Sequence, residues 1–159
     1  MPVTSLSRKP LVFGSLQSPS KDLTMSNVFT KLADFTLSPS TTFFSLTLTS
    51  KTAETVNFDL HFPEASANPM GLVQGGMITA ALDDATSVAM IDGYHDEKAP
   101  LSTGLHTLFH RPLPLGPAHI VVNIIKLGRR SATSEGRLFN TNRQLVATLL
   151  HSAQPVDKS

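Results

Sequence analysis

Apolar and polar positions change period along this chain, and each change marks an element. Val56, Phe58, Leu60 and Phe62 alternate with Asn57, Asp59 and His61. That is the two-residue period of a strand with one buried face. Residues 41–49 are β-branched and aromatic, with Phe44, Leu46 and Leu48 alternating, and predict a strand before it. Residues 50–55 then form the hairpin loop. From Gly75 to about Ile91 the period lengthens. Met77, Ile78, Ala80, Ala81, Leu82, Ala85, Val88, Ala89 and Met90 fall on nearly every face of a 3.6-residue repeat. A helix apolar on most faces is buried on most faces. Gly93 is placed to stop it. Four more strands follow, over residues 101–109, 119–127, 131–139 and 144–152. Proline, glycine and asparagine turns separate them. Upstream, Val28, Leu32 and Phe35 have the spacing of a short helix over residues 26–35.

Two strands, one long buried helix, then four strands is an α+β order. A single antiparallel sheet curved around a central helix buries such a helix well, and this is the hotdog architecture. The domain is expected over residues 26–154, followed by a tail at 155–159. Residues 1–25 read as a flexible arm. The first 21 residues are rich in Ser and Pro, carry Arg8, Lys9 and Lys21, and no acid precedes Asp22. Without a strong amphipathic Arg pattern this does not read as a targeting helix. A cytoplasmic protein is the expectation, with the mitochondrial matrix the alternative if the arm is a transit segment.

Composition narrows the chemistry by exclusion. At 159 residues the chain suits one domain with a real core. A formal net charge of +1 gives no drive toward nonspecific nucleic-acid binding. The absence of cysteine removes disulfides, thiolate metal sites and a cysteine nucleophile. No apolar stretch reaches the length of a membrane span.

The candidate chemistry sits where the long helix begins. Asn68-Pro69-Met70-Gly71-Leu72-Val73-Gln74-Gly75-Gly76 is a polar, glycine-rich turn, and Asp83-Asp84 follow two turns into the helix. Unpaired N–H groups at a helix start can hold an oxyanion. A carboxylate in an otherwise apolar helix is costly unless something uses it. Together they point to a site that polarises a carbonyl and attacks it.

Asn68, Gly71, Gln74-Gly75-Gly76 and Asp83, followed by Phe109-His110-Arg111-Pro112, Gly116 and Gly128-Arg129-Arg130, give the chain a family resemblance. It resembles the hotdog-fold acyl-CoA thioesterases of the phenylacetyl-CoA and hydroxybenzoyl-CoA type, over roughly residues 40–152. Gln74 stands where those enzymes usually carry a His. The resemblance implies thioester hydrolysis with Asp83 as nucleophile or general base. It implies that the Gly75 N–H polarises the thioester carbonyl and that Asn68 orients water or substrate. Ser102, or its neighbour Thr103, is implied to hydrogen-bond near the carboxylate. Gly71, Gln74 and Gly76 are expected on the substrate side. No cofactor is implied.

Helix geometry adds an assembly argument. Gly75 and Asp83 lie about 12 Å apart along one helix axis. One substrate atom cannot reach both in the same subunit. Two antiparallel helices in a symmetric dimer bring the Gly75 of one subunit to the Asp83 of the other. A homodimer is therefore expected, with a dimer of dimers as its extension.

The remaining candidates divide between solvated surface and chemistry. Asp84 points about 100° away from Asp83 and reads as a surface acid. Arg129 and Arg130 sit in a predicted turn, either simply solvated or placed for the phosphates of CoA. Arg111 has the same ambiguity. His106 and His110 have zinc-helix spacing, but Pro112 and Pro114 rule out a helix there. On a strand they stand about 13 Å apart, too far for one metal, so no metal site is expected. His61-Phe62-Pro63 is similar to a hotdog dehydratase motif, yet that spacing puts Gly75 where the acid should be. A dehydratase or hydratase, and a non-catalytic acyl-CoA binding module, are the alternatives to hydrolysis. No Gly-x-Ser-x-Gly elbow or P-loop is present.

Overall fold

The computed structural model describes residues 38–158. The arm expected over residues 1–25 and the helix expected over 26–35 lie outside the described residues. The chain runs α1 (Pro39–Phe43), β1 (Thr47–Lys51), β2 (Thr55–Phe62), a 3-10 turn (Glu64–Ser66), and α2 (Gly75–Gly93). Strands β3 (Lys98–Phe109), β4 (Gly116–Leu127), β5 (Ala132–Phe139) and β6 (Leu145–Asp157) complete it. The six strands form one antiparallel sheet in the order β1-β2-β4-β5-β6-β3. Helix α2 packs against β3, β4, β5 and β6. This is the hotdog fold expected from the order of elements.

The alternation in β2 buries Val56, Phe58, Leu60 and Phe62 and exposes Asp59 and His61. In β5, Ala132, Ser134, Gly136 and Leu138 face inward in the same way. The β2 row and Leu138 meet Ala81, Leu82 and Ala85 of α2 in the main core, and Ala132 packs with Met90 and Ala153 in a second cluster. Each large side chain buried this way contributes about 1.5–3 kcal/mol of transfer free energy. Gly136 lets the helix approach closely. A Cβ there would come within 2.9 Å of Thr86 Cγ2 and 3.1 Å of Leu82 Cδ2.

Several strand boundaries are corrected. The strand expected from residue 41 begins only at Thr47, because Ser38 and Pro39 start α1 instead. The Thr41 N–H donates to Ser38 Oγ at 3.3 Å, and proline suits the first helical turn. These start signals outweigh the β-propensity of Thr41–Phe44. The last strand continues past Ser152 to Asp157, and β3 begins earlier, at Lys98. Pro100 and Pro155 lie opposite one another in register. That is a pairing site where neither residue needs an N–H. Lys98 and Asp157 pair across the same ladder.

Among the described residues, no helix is long and apolar enough to cross a membrane.

Candidate active site

Local sequence explains the mouth of α2. Asn68 Oδ1 accepts the Met70 N–H at 2.8 Å and the Leu72 N–H at 3.1 Å, closing the turn on itself. Gly71 has φ +74°, a region that suits glycine. Gln74 is the N-cap of α2, its Oε1 accepting the Met77 N–H at 3.0 Å. The Gln74 amide therefore has a structural task, and Gly76 leaves it room. A Cβ at residue 76 would lie 2.8 Å from Oε1. With Asn68 Oδ1 occupied, its Nδ2 group is the part left to donate outward.

Gly75 opens the helix beside Phe109 at the end of β3. A Cβ at residue 75 would come within 3.2 Å of the Phe109 ring. A cavity of about 370 Å³ lies here, with Asn68, Gly75, Ile78, Phe109 and Arg111 in its wall. A larger groove of about 620 Å³, among Asp59, His119, Phe139 and Arg143, contains none of these groups. The smaller cavity is the one that holds the helix start.

Asp83 lies two turns further on, on a half-open stripe of α2. Ala80, Asp83 and Ser87 are partly covered and Gly76 is exposed, while Ile78, Leu82 and Ala85 are buried. Ser102 of β3 donates to Asp83 Oδ1 at 3.1 Å. A β-bulge orients it: Ser102 pairs with Ala153 and Gly104 with Ser152, so Thr103 is the extra residue. Of the two hydroxyls expected near the carboxylate, the one that reaches it is Ser102.

Behind Ser102 stands a residue that sequence reasoning passed over. His151 of β6 is fully buried. Its Nε2 is 3.0 Å from Ser102 Oγ and 3.6 Å from Asp83 Oδ1. Its Nδ1 is 2.8 Å from Thr86 Oγ1 on α2. Burial pushes the His151 pKa down, and the Asp83 charge pulls it partly back. A signal was available: His151 shares inward parity with Leu149 and Ala153, an unusual place for an imidazole.

Asp84 is a correction. It is half-buried beneath α1, not a surface acid. Ser40 Oγ donates to its Oδ1 at 3.1 Å, and its Oδ2 is buried without a partner. Burial raises its pKa, the Ser40 hydrogen bond lowers it, and neighbouring Asp83 raises it. The missed α1 is the reason: a strand there would not have covered this carboxyl.

Arg129 and Arg130 are exposed in the β4–β5 turn. Tyr94, at the C-terminal end of α2, donates to Gly128 O at 2.7 Å. In one subunit both arginines therefore lie at the far end of the helix from Gly75. Arg111 Nη1 donates to Leu145 O at 2.7 Å, holding the turn after β3.

The arrangement can polarise a carbonyl at Gly75 and supply a carboxylate at Asp83, but one subunit does not bring the two together. Comparison with known proteins gives a consistent result. The model of the thioesterase superfamily matches residues 70–147. No curated protein sequence matches the chain significantly. A phenylacetic acid degradation-related protein of Ralstonia eutropha is 25% identical, with a TM-score of 0.72 over 79% of this chain and 98% of that one. A Haemophilus influenzae thioesterase superposes with a TM-score of 0.72 at 14% identity, covering 86% of this chain and 93% of that one. A Streptococcus mutans protein solved with acetyl CoA bound gives 0.64 at 18% identity, over 71% and 90%. The last two show a shared fold alone. The superfamily match and the 25% identical Ralstonia eutropha protein support thioester hydrolysis as a general class.

Proposed function

We propose, from the premise that the chain has the hotdog fold and sequence likeness of the thioesterase superfamily, that it hydrolyses an acyl-CoA thioester. The products are a carboxylic acid and CoA. The observation that carries this reading is the 3.1 Å contact between Ser102 and Asp83 on the half-open face of α2. A carboxylate held there is free on one side to attack the thioester or to take a proton from water.

The Gly75 N–H, at the helix start, receives the charge that develops on the carbonyl oxygen. Asn68 Nδ2 is the second donor. Gly71, Gln74, Gly76 and Thr103 border the substrate. Arg129 and Arg130 meet the phosphates of CoA. The acetyl CoA bound in the Streptococcus mutans protein is consistent with a CoA ester as ligand. Met77 and Ala80 suit an aryl or a medium- to long-chain acyl group.

The working unit is a homodimer. Strand β3 is a 12-residue edge of the sheet, with Leu101, Leu105, Leu108 and Phe109 exposed. Long apolar edges call for a partner. Pairing two such edges about a two-fold sets the α2 helices antiparallel and completes two sites. A dimer of dimers extends the same assembly.

Thiol release across a panel of acyl-CoAs tests the reading. Release with no change at an enoyl chromophore supports it, and enoyl turnover favours a dehydratase or hydratase. Thermal stabilisation by acyl-CoA without turnover marks a binding module.

A further inference from the structure

Asp83, Ser102, His151 and Thr86 form one line of contacts from the half-open helix face into the core. Hydrogen counting along this line has a chemical consequence. Thr86 Oγ1 lies 2.7 Å from Leu82 O and 3.1 Å from Asp83 O. Carbonyl oxygens only accept, so the single Thr86 hydrogen is spent on them. Thr86 must then accept from His151 Nδ1–H. Nδ1 is the protonated nitrogen of the neutral ring, and Nε2 presents its lone pair to Ser102.

Ser102 has one hydrogen and two acceptors within reach: Asp83 Oδ1 at 3.1 Å and His151 Nε2 at 3.0 Å. While the carboxylate is bare, one of those contacts has no hydrogen. If Asp83 takes a proton and holds it on Oδ1, both are satisfied: the Oδ1–H donates to Ser102, and Ser102 O–H donates to His151. The line therefore gains a hydrogen bond when Asp83 acts as a base.

We propose that Thr86 is a positioning residue that locks His151 in the Nδ1–H tautomer, and that this lock makes Asp83 a stronger general base through Ser102. The inference rests on the hydrolase reading and selects the general-base role for Asp83. Water gives its proton to Asp83 while its oxygen bonds to the acyl carbon and the carbonyl π pair moves to oxygen. When the C–S bond breaks, its electron pair leaves on sulfur, and Asp83 returns the proton to the thiolate. Among the described residues, the groups facing the ring are Asp83 and Thr86 of α2, Ser102 of β3 and, opposite it in register, Ser134 of β5. Asp83 is the charged group acting on it, and Asp84 is directed away, to Ser40.

Thr86→Val tests the lock, because valine keeps the shape and loses the acceptor. His151 then turns to the Nε2–H tautomer and donates to Ser102, and Ser102 donates fully to the Asp83 carboxylate. The carboxylate is stabilised and becomes a weaker base. We expect kcat to fall roughly tenfold and KM to stay unchanged. Thr86→Ser, which keeps the hydroxyl, should retain the wild-type kcat and KM.

Ring-nitrogen NMR on histidine-labelled protein reads the tautomer without turnover. Nδ1–H in the wild type and Nε2–H in Thr86→Val support the proposal. An Nε2–H wild-type ring overturns it whatever the activity. Wild-type kcat in folded Thr86→Val overturns it even if hydrolysis itself is confirmed. Absence of thiol release from every acyl-CoA, with the Nδ1–H tautomer present, would sink the hydrolase reading and with it the catalytic part of the proposal.

Discussion

Gly75 and Phe109 press against each other at the start of α2: a single added methyl at Gly75 would sit 3.2 Å from the ring. Gly75→Ala should therefore keep the fold and impair turnover. The N–H remains, but the methyl and the displaced ring crowd the carbonyl. A misplacement of about 1 Å costs on the order of 10²-fold. Thiol release with unchanged far-UV circular dichroism checks this. Wild-type activity in Gly75→Ala would mean that the carbonyl binds elsewhere.

Asp83→Asn should lose at least about 10²-fold in thiol release, because an amide is neither base nor nucleophile at neutral pH. Asp84→Asn should retain activity, since that carboxyl faces Ser40. Assayed side by side, an inactive Asp84→Asn with an active Asp83→Asn would reverse the assignment.

Asp84 also sets a pH dependence of stability. Its folded pKa is raised above the ordinary 3.8. The folded state therefore holds this proton more tightly than the unfolded state. Its contribution to stability falls as pH rises from 3.8 toward the raised value. Asp84→Asn removes that dependence. Denaturant midpoints should show the variant gaining on the wild type as pH rises through this window. Parallel curves would show that burial does not perturb this carboxyl.

Association should track activity. Leu105 on the β3 edge is exposed, and Leu105→Lys places a charge on the edge offered for pairing. Sedimentation should show a dimer or larger for the wild type and a lighter species, with lower thiol release, for the variant. An active, strictly monomeric wild type would overturn the shared-site arrangement.

The helix, its buried faces and the inward row of β2 were legible in the sequence because periodicity reports burial directly. The turn from Asn68 to Gly76 was legible as a helix entry because its glycines and the carboxylate fall within about two turns of the helix start, while the capping task of Gln74, expected on the substrate side, emerged only in the structure. Other features required the third dimension. Ser38-Pro39 and Thr41–Phe44 carried opposing local signals, and α1 settled the fate of Asp84 by packing over it. Ser102 and Thr103 are equivalent on paper, and a bulge in β3 decided which one faces Asp83. His151 is 49 residues from Ser102 and 65 from Thr86 in sequence. Only the curl of the sheet around α2 brings the three together, because strand order, not chain order, sets which side chains meet.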